Sequence, residues 1–194
     1  MIIIDKDLSE EPIVLLTSPL VVEEVLSKEE LERIELITSQ LEVKPITFDG
    51  KAAEQHLSCK KAWIPYTDDT AWLYGRVYDL VCYFNADYFF FNPIDMVERI
   101  AYNVYEEGGY LDWHIDLASS PPFSTRKLAV TIQLSASDDY REGFLEFNID
   151  KVYRMPRTAG SLIIYPVYLS HRVTPITKGT RKSLTFWVGG TSFS

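Results

Sequence analysis

Two histidines and an aspartate have the types and the order to hold one metal ion. His114 and Asp116 stand two residues apart in a strand-like segment, 110–115 and its edge, so both side chains leave the same face. His171 follows the apolar run Ser161–Tyr165, from which a sandwich can return a second imidazole to the same point. His56, the remaining histidine, has no comparable context. Two imidazoles and one carboxylate on one side of an ion, with three positions open, are the ligand set of non-haem Fe(II) oxygenases. Zinc accepts the same donors, but neither an H-E-x-x-H helix nor a general-base glutamate accompanies them here. Arg181 opens a later strand on its polar face. Its forked, permanently charged guanidinium can grip a carboxylate through two parallel hydrogen bonds.

The elements that must position these groups are short strands. From Ala101 onward, segments rich in β-branched and aromatic residues alternate with Gly, Pro, Asp and Ser breaks, at 101–106, 110–115, 126–135, 143–148, 161–165, 170–174 and 182–188. The pattern predicts a mainly β fold with flanking helices, an α+β arrangement around a β-sandwich or jelly-roll core. Leu128, Val130, Ile132 and Leu134 share one face of their strand, and Lys127, Ala129, Thr131 and Gln133 the other. In the last strand Leu184, Phe186 and Val188 oppose Arg181, Ser183, Thr185 and Trp187, and that polar face is expected to line an internal cavity. Before residue 100 the chain reads as helical and irregular. Ser27 and Glu30 form a capping box, and Leu31, Ile34 and Ile37 recur at helical spacing, predicting a helix from Lys28 to Leu41. A second helix is expected over Tyr74–Phe84, and the aromatic run from Trp63 to Phe91 is read mostly as core, with an aromatic substrate groove as the sharper alternative. We take 1–194 as a single domain, with a helical and irregular portion 1–100 and a catalytic β-core 101–194.

The segment Tyr105–Gly190 resembles the catalytic core of prolyl 4-hydroxylase-like 2-oxoglutarate/Fe(II) oxygenases, the PKHD-type branch in particular. The runs that carry the resemblance are Y-E-E-G-G-Y-L-D-W-H-I-D (105–116), R-K-L-A-V-T-I-Q-L-S (126–135), G-F-L-E-F (143–147), G-S-L-I-I-Y-P (160–166), H-R-V-T-P-I-T-K-G-T-R-K-S-L (171–184) and W-V-G-G (187–190). The resemblance implies a double-stranded β-helix in which His114, Asp116 and His171 bind Fe(II) and Arg181 holds the distal carboxylate of the 2-oxoglutarate cosubstrate. Tyr105 matches a tyrosine that helps bind that carboxylate, Gln133 another cosubstrate-facing position, and Ser183 an R-x-S pattern of other branches. It further implies a dioxygenase that uses O2, hydroxylates a C–H bond of a protein residue (prolyl among them) or of a small molecule, and yields succinate and CO2. A halogenase would need the Asp116 position open for halide. Gly143, preceded by Arg141-Glu142, replaces a Gly-Gly common at this turn, and the first hundred residues match only loosely.

Composition narrows the partners. A net charge of -9 repels a phosphate backbone and makes nucleic acid an unfavoured partner, which weighs against the alternative of a demethylase with the same iron chemistry. The basic groupings Lys60–Lys61, Arg126–Lys127, Arg154 with Arg157, and Lys178 with Arg181–Lys182 read as solvated surface, Arg181 apart. A noncatalytic metal- or ligand-binding module is the other alternative, and it has no evident use for Arg181 and Tyr105. Cys59 and Cys82 are read as reduced structural thiols. The N-terminus lacks a basic leader and no run suits a membrane span, so a cytoplasmic location is expected. Leu117–Thr125, which leaves directly from Asp116 and carries Pro121-Pro122 and Phe123, is expected to gate the substrate entrance.

Overall fold

Strand alternation in the β-core produces two kinds of face, and the computed structural model shows what covers each. It describes residues 2–3, 17–48, 51–52, 57–92 and 94–191; His56 and the stretch 4–16 lie outside them. The larger sheet runs Ile2–Ile3, Leu20–Val22, Leu162–Pro166, Arg126–Gln133, Arg181–Gly189, Ala101–Tyr105, Lys60–Trp63 and Lys44–Pro45, with Asp95–Met96 paired to the end of Arg181–Gly189. The smaller sheet runs Val152–Arg154, Leu145–Asn148, His171–Val173, Tyr110–His114 and Leu57–Ser58. The two form a jelly roll.

On the larger sheet, Leu128, Val130, Ile132, Leu162, Ile164, Leu184, Phe186 and Val188 point outward into one buried cluster. Two helices cover it, α1 (Lys28–Ser39) through Ile34 and α2 (Ala71–Phe84) through Leu73, Val77 and Val81. The inner face carries Tyr105, Ala129, Ile163, Tyr165 and Trp187, which pack with Leu145, Phe147 and Val173 of the smaller sheet. Every residue of Arg126–Gln133 is therefore buried, although its sequence alternates. Its polar half faces the interior rather than solvent.

The capping box forms as the sequence implies: Glu30 N–H donates to Ser27 Oγ at 3.2 Å and Ser27 N–H to Glu30 Oε2 at 2.8 Å. The helix stops at Ser39, short of Leu41, because Gln40 and Leu41 turn their N–H groups to the Ile37 and Thr38 carbonyls in a tightened last turn. α2 starts at Ala71, three residues before the expected Tyr74, since Thr70 Oγ1 fixes the preceding turn by accepting from Thr67 N–H and donating to the Pro65 carbonyl. Of the aromatic run 63–91, Tyr66 (70% exposed), Tyr83 (64%), Phe90 and Trp63 lie on the surface. The rest contribute to the helical layer.

Strands from before residue 100 join both sheets. They are two to four residues long, too short for a period to show in sequence. Two turns of the core explain local sequence. Glu142 and Gly143 both adopt left-handed backbone, φ 59° and 63°, so Glu142 stands in a conformation that a glycine takes at lower cost. At Gly189 a Cβ would meet the Thr125 carbonyl oxygen at 2.2 Å, and Gly190 N–H donates to that same oxygen at 2.9 Å. This close approach ties the end of the 117–125 loop to the last strand.

Candidate metal centre and cavity

The two histidines face each other across the smaller sheet. Tyr110–His114 and His171–Val173 are antiparallel with His114 and His171 as register partners, and a register shift between Leu111 and His114 turns the end of the strand inward. The strand ends at His114, so Asp116 is positioned by other means than the expected strand periodicity. Its N–H donates to the Val167 carbonyl at 2.9 Å, and its own carbonyl accepts from Arg126 Nη1 at 3.1 Å. One ligand atom from each of His114, Asp116 and His171 lies within 4.8 Å of the others. His114 Nε2 is 3.7 Å from one Asp116 carboxylate oxygen and His171 Nε2 3.6 Å from the other.

The donor chemistry suits a divalent ion. Each imidazole keeps its Nδ1 beside a backbone carbonyl, His114 at 2.8 Å from Asp112 O and His171 at 2.9 Å from Leu169 O. A proton on each Nδ1 leaves both Nε2 lone pairs aimed at the Asp116 carboxylate. Burial holds the His171 imidazole down at about 4, with Asp116 opposing that shift and His114 adding to it. His171 is thus neutral near pH 7, as a metal ligand must be. The stability consequence follows from which state binds protons. Between about 4 and its ordinary 6.5 the unfolded histidine is protonated and the folded one is not, so acidification favours unfolding. The metal-free protein is expected to lose up to about 3 kcal/mol from this group as pH falls from 7 to 4. Urea midpoints measured across that window will show the loss, and His171→Asn will flatten it.

A cavity of about 1120 Å³ opens beside the triad, between the sheets. Its floor is the inner face of Arg181–Gly189, where Arg181, Ser183, Thr185 and Trp187 all line it. Arg181 is 1% exposed. Its Nη2 donates to Gln133 Oε1 at 2.9 Å, its Nη1 lies 3.5 Å from Ser183 Oγ, and its guanidinium sits 5.3 Å from the Tyr105 ring centroid. Gln133 and Ser183 therefore orient the arginine, through contacts that the strand pairing of Gln133 with Ser183 makes inevitable. Arg181 Nε and Gln133 Nε2 are buried without a hydrogen-bond partner, and Arg181 forms no ion pair among the described residues. A buried guanidinium in this condition is costly unless an anion completes it. Burial raises the Tyr105 hydroxyl well above its ordinary range, so it stays a donor at neutral pH.

Several groups at the site carried no clear sequence signal. Arg126, expected at the surface, is 4% exposed. It is buried because it pairs with Glu98, stacks on Trp187 at 3.8 Å and donates to the Asp116 carbonyl. Tyr165 places its hydroxyl 3.3 Å from His171 Nε2; Leu162–Pro166 is apolar and buried at every position, so its sequence does not tell which side chains turn inward. Lys61 enters the cavity from Lys60–Trp63. Phe123 lines the cavity from the 117–125 loop and packs 4.5 Å from the Arg126 guanidinium. Of the aromatic run 63–91, Trp63 alone lines this cavity.

Residues 100–189, which contain the triad and the arginine strand, match the 2OG-Fe(II) oxygenase superfamily. The matched segment is a little under half of the chain. A PKHD-type hydroxylase of Pseudomonas fluorescens is 36% identical to this chain over 94 residues, 44% of this chain and 40% of that protein. The chain thus spans about two fifths of the curated relative's length. The fold is shared with a prolyl-4-hydroxylase of Pseudomonas putida, at TM-score 0.71 and 17% identity over 90% of this chain and 93% of that one. A prolyl hydroxylase of Trichoplax adhaerens, solved with a hypoxia inducible factor peptide fragment, gives TM-score 0.70 and 18% identity over 89% and 84%.

Proposed function

We propose that the protein is a 2-oxoglutarate- and Fe(II)-dependent dioxygenase that hydroxylates a C–H bond of a peptide or small-molecule substrate. The observation that carries this reading is a three-ligand cluster and an anion-seeking buried arginine opening on one cavity. His114, Asp116 and His171 would hold Fe(II) on one side and leave the cavity side open. Arg181, fixed by Gln133 and Ser183, would receive the distal carboxylate of 2-oxoglutarate, with the Tyr105 hydroxyl as a further donor. When bound, the iron and cosubstrate supply oxidative decarboxylation, with succinate and CO2 as products, and the oxidising power for the C–H bond. The chain's own part is positioning. Arg126 holds the Asp116 backbone, the two backbone carbonyls fix both imidazoles, and Leu117, Leu145 and Val173 give the cavity an apolar part of its lining.

A peptide substrate is favoured by the cavity's size and by the peptide bound to the Trichoplax relative of the same fold. A screen of peptides and small metabolites, read by product mass, tests this: one compound gains an oxygen atom only when iron and 2-oxoglutarate are both supplied. Absence of any such product alongside an unchanged 2-oxoglutarate pool counts against it. The 117–125 loop is proposed to close over the substrate, with Phe123, 40% exposed, as its apolar contact. Phe123→Ala is expected to raise the substrate KM roughly tenfold, the loss of an apolar contact of about 1.4 kcal/mol, and to lower substrate-free 2-oxoglutarate consumption less. Steady-state rates with and without substrate separate the two effects.

A further inference from the structure

Lys61 is a charged group inside the cavity that neither the triad nor the cosubstrate anchor uses. Along Lys60–Trp63 the alternation turns Ala62 and Ile64 to the helix-covered core, and Lys61 and Trp63 to the cavity. Lys61 pairs across the sheet with Asn103, and Asn103 in turn with Ser183, so Lys61 lies two strands away from the arginine row on the same inner face. Its ammonium stands 5.2 Å from the Trp63 ring centroid and 5.8 Å from that of Trp187. Among the described residues it forms no ion pair, whereas its chain neighbour Lys60 is bound to Glu106 at 2.8 Å. Burial pulls its ammonium below the usual lysine range, even though Cys59, Asp116 and Glu98 favour the charge.

Among the described residues, two of the carboxylates that line the cavity are paired. Glu98 pairs with Arg126 and Glu42 with Lys44. On the oxygenase reading, a divalent ion, the Asp116 carboxylate, a dianionic cosubstrate and Arg181 sum to zero. Lys61 then remains as one positive charge beside two indole rings, facing the space that an incoming molecule must occupy.

We infer that Lys61 is a specificity-determining residue that takes a single carboxylate of the primary substrate, whose apolar body rests against Trp63 and Trp187. One ammonium supplies one positive charge, which a single carboxylate matches and a dianionic phosphate exceeds. An ammonium also acts as a point charge and does not demand the bidentate geometry that Arg181 imposes. This inference rests on the oxygenase reading, but its test reads binding alone.

The probes are 3-phenylpropionate and its uncharged amide, titrated by tryptophan fluorescence into the full chain loaded with Mn(II) and 2-oxoglutarate. Wild type is expected to bind the carboxylate at least about tenfold more tightly than the amide, the value of one partly buried charge contact. Lys61→Met is expected to level the two and Lys61→Arg to keep most of the preference, with Lys61→Gln in reserve should the Met variant not fold. Equal affinities in wild type, no saturable binding of either probe, or a preference that survives in the neutral variants overturns the proposal. So does a 2-oxoglutarate affinity that falls in Lys61→Met as steeply as in an Arg181 variant, for Lys61 would then serve the cosubstrate. If the protein takes up neither Mn(II) nor 2-oxoglutarate, the oxygenase reading fails. The same probes on an unloaded Arg181→Met background still decide whether Lys61 prefers a carboxylate.

Discussion

Asp116→Ala, His114→Ala and His171→Ala are each expected to weaken Fe(II) binding by more than about 100-fold and to abolish 2-oxoglutarate turnover. Loss of a residue that merely supports a metal ligand already costs 10- to 100-fold, and each of these removes one of three ligands outright. The three substitutions should differ in their effect on folding. His171 is buried against Phe147 and Tyr165, so its truncation also opens a void in the inner core. Asp116 lies past the end of its strand with its backbone held by Val167 and Arg126, and its truncation leaves those bonds intact. Calorimetric titration of anaerobic Fe(II), with thermal melts of the same samples, separates metal loss from misfolding. Asp116→Ala is the variant in which the two come apart most cleanly.

Arg181→Met is expected to raise the Kd for 2-oxoglutarate by about 100-fold or more while leaving the metal bound. Two charge-assisted hydrogen bonds to a buried carboxylate are worth roughly 3 kcal/mol together, which corresponds to that factor. The free protein supplies a second, opposite sign. Among the described residues Arg181 is buried without an ion-pair partner, its Nε unpartnered, so replacing it by an apolar side chain of similar length removes an uncompensated charge. The melting temperature of the unloaded protein should therefore not fall, whereas 2-oxoglutarate, which stabilises the wild type by mass action, should cease to raise it. A structural arginine with no ligand would give the reverse, a less stable variant and an unchanged response to 2-oxoglutarate.

The parts of this account that sequence made legible are those where chemistry is rare or period is strong. Histidine occurs three times, so the spacing of His114, Asp116 and His171 stood out, and the structure brings those three side chains together. The two-residue period of Lys182–Val188 turned Arg181, Ser183, Thr185 and Trp187 to one face, and that face lines the cavity. What stayed hidden depends on distant partners. Arg126 looks like surface until Glu98 and the Asp116 carbonyl, in other elements, are found against it. Lys61 lies in a four-residue strand whose inward direction is set by pairing with Ala101–Tyr105, and nothing in K-K-A-W reveals which lysine turns in. Asp116 lies past the end of its strand, where a bulge and two backbone hydrogen bonds replace periodicity. Helix ends moved by two or three residues because turn hydrogen bonds, invisible to a hydrophobic period, fix them.

The most direct test of the central claim is conversion of isotopically labelled 2-oxoglutarate to succinate by the purified full chain. Metal-free protein is prepared with chelator, loaded anaerobically with Fe(II) and then exposed to O2, with Asp116→Ala and Arg181→Met carried in parallel. The account predicts succinate from the iron-loaded wild type, even at the slow rate of a substrate-free reaction, and none above background from the metal-free protein or from Asp116→Ala. Arg181→Met should produce it only at greatly raised 2-oxoglutarate. Succinate formed equally by the metal-free protein or by Asp116→Ala, or no succinate from an iron-loaded wild type at any 2-oxoglutarate concentration, would contradict it.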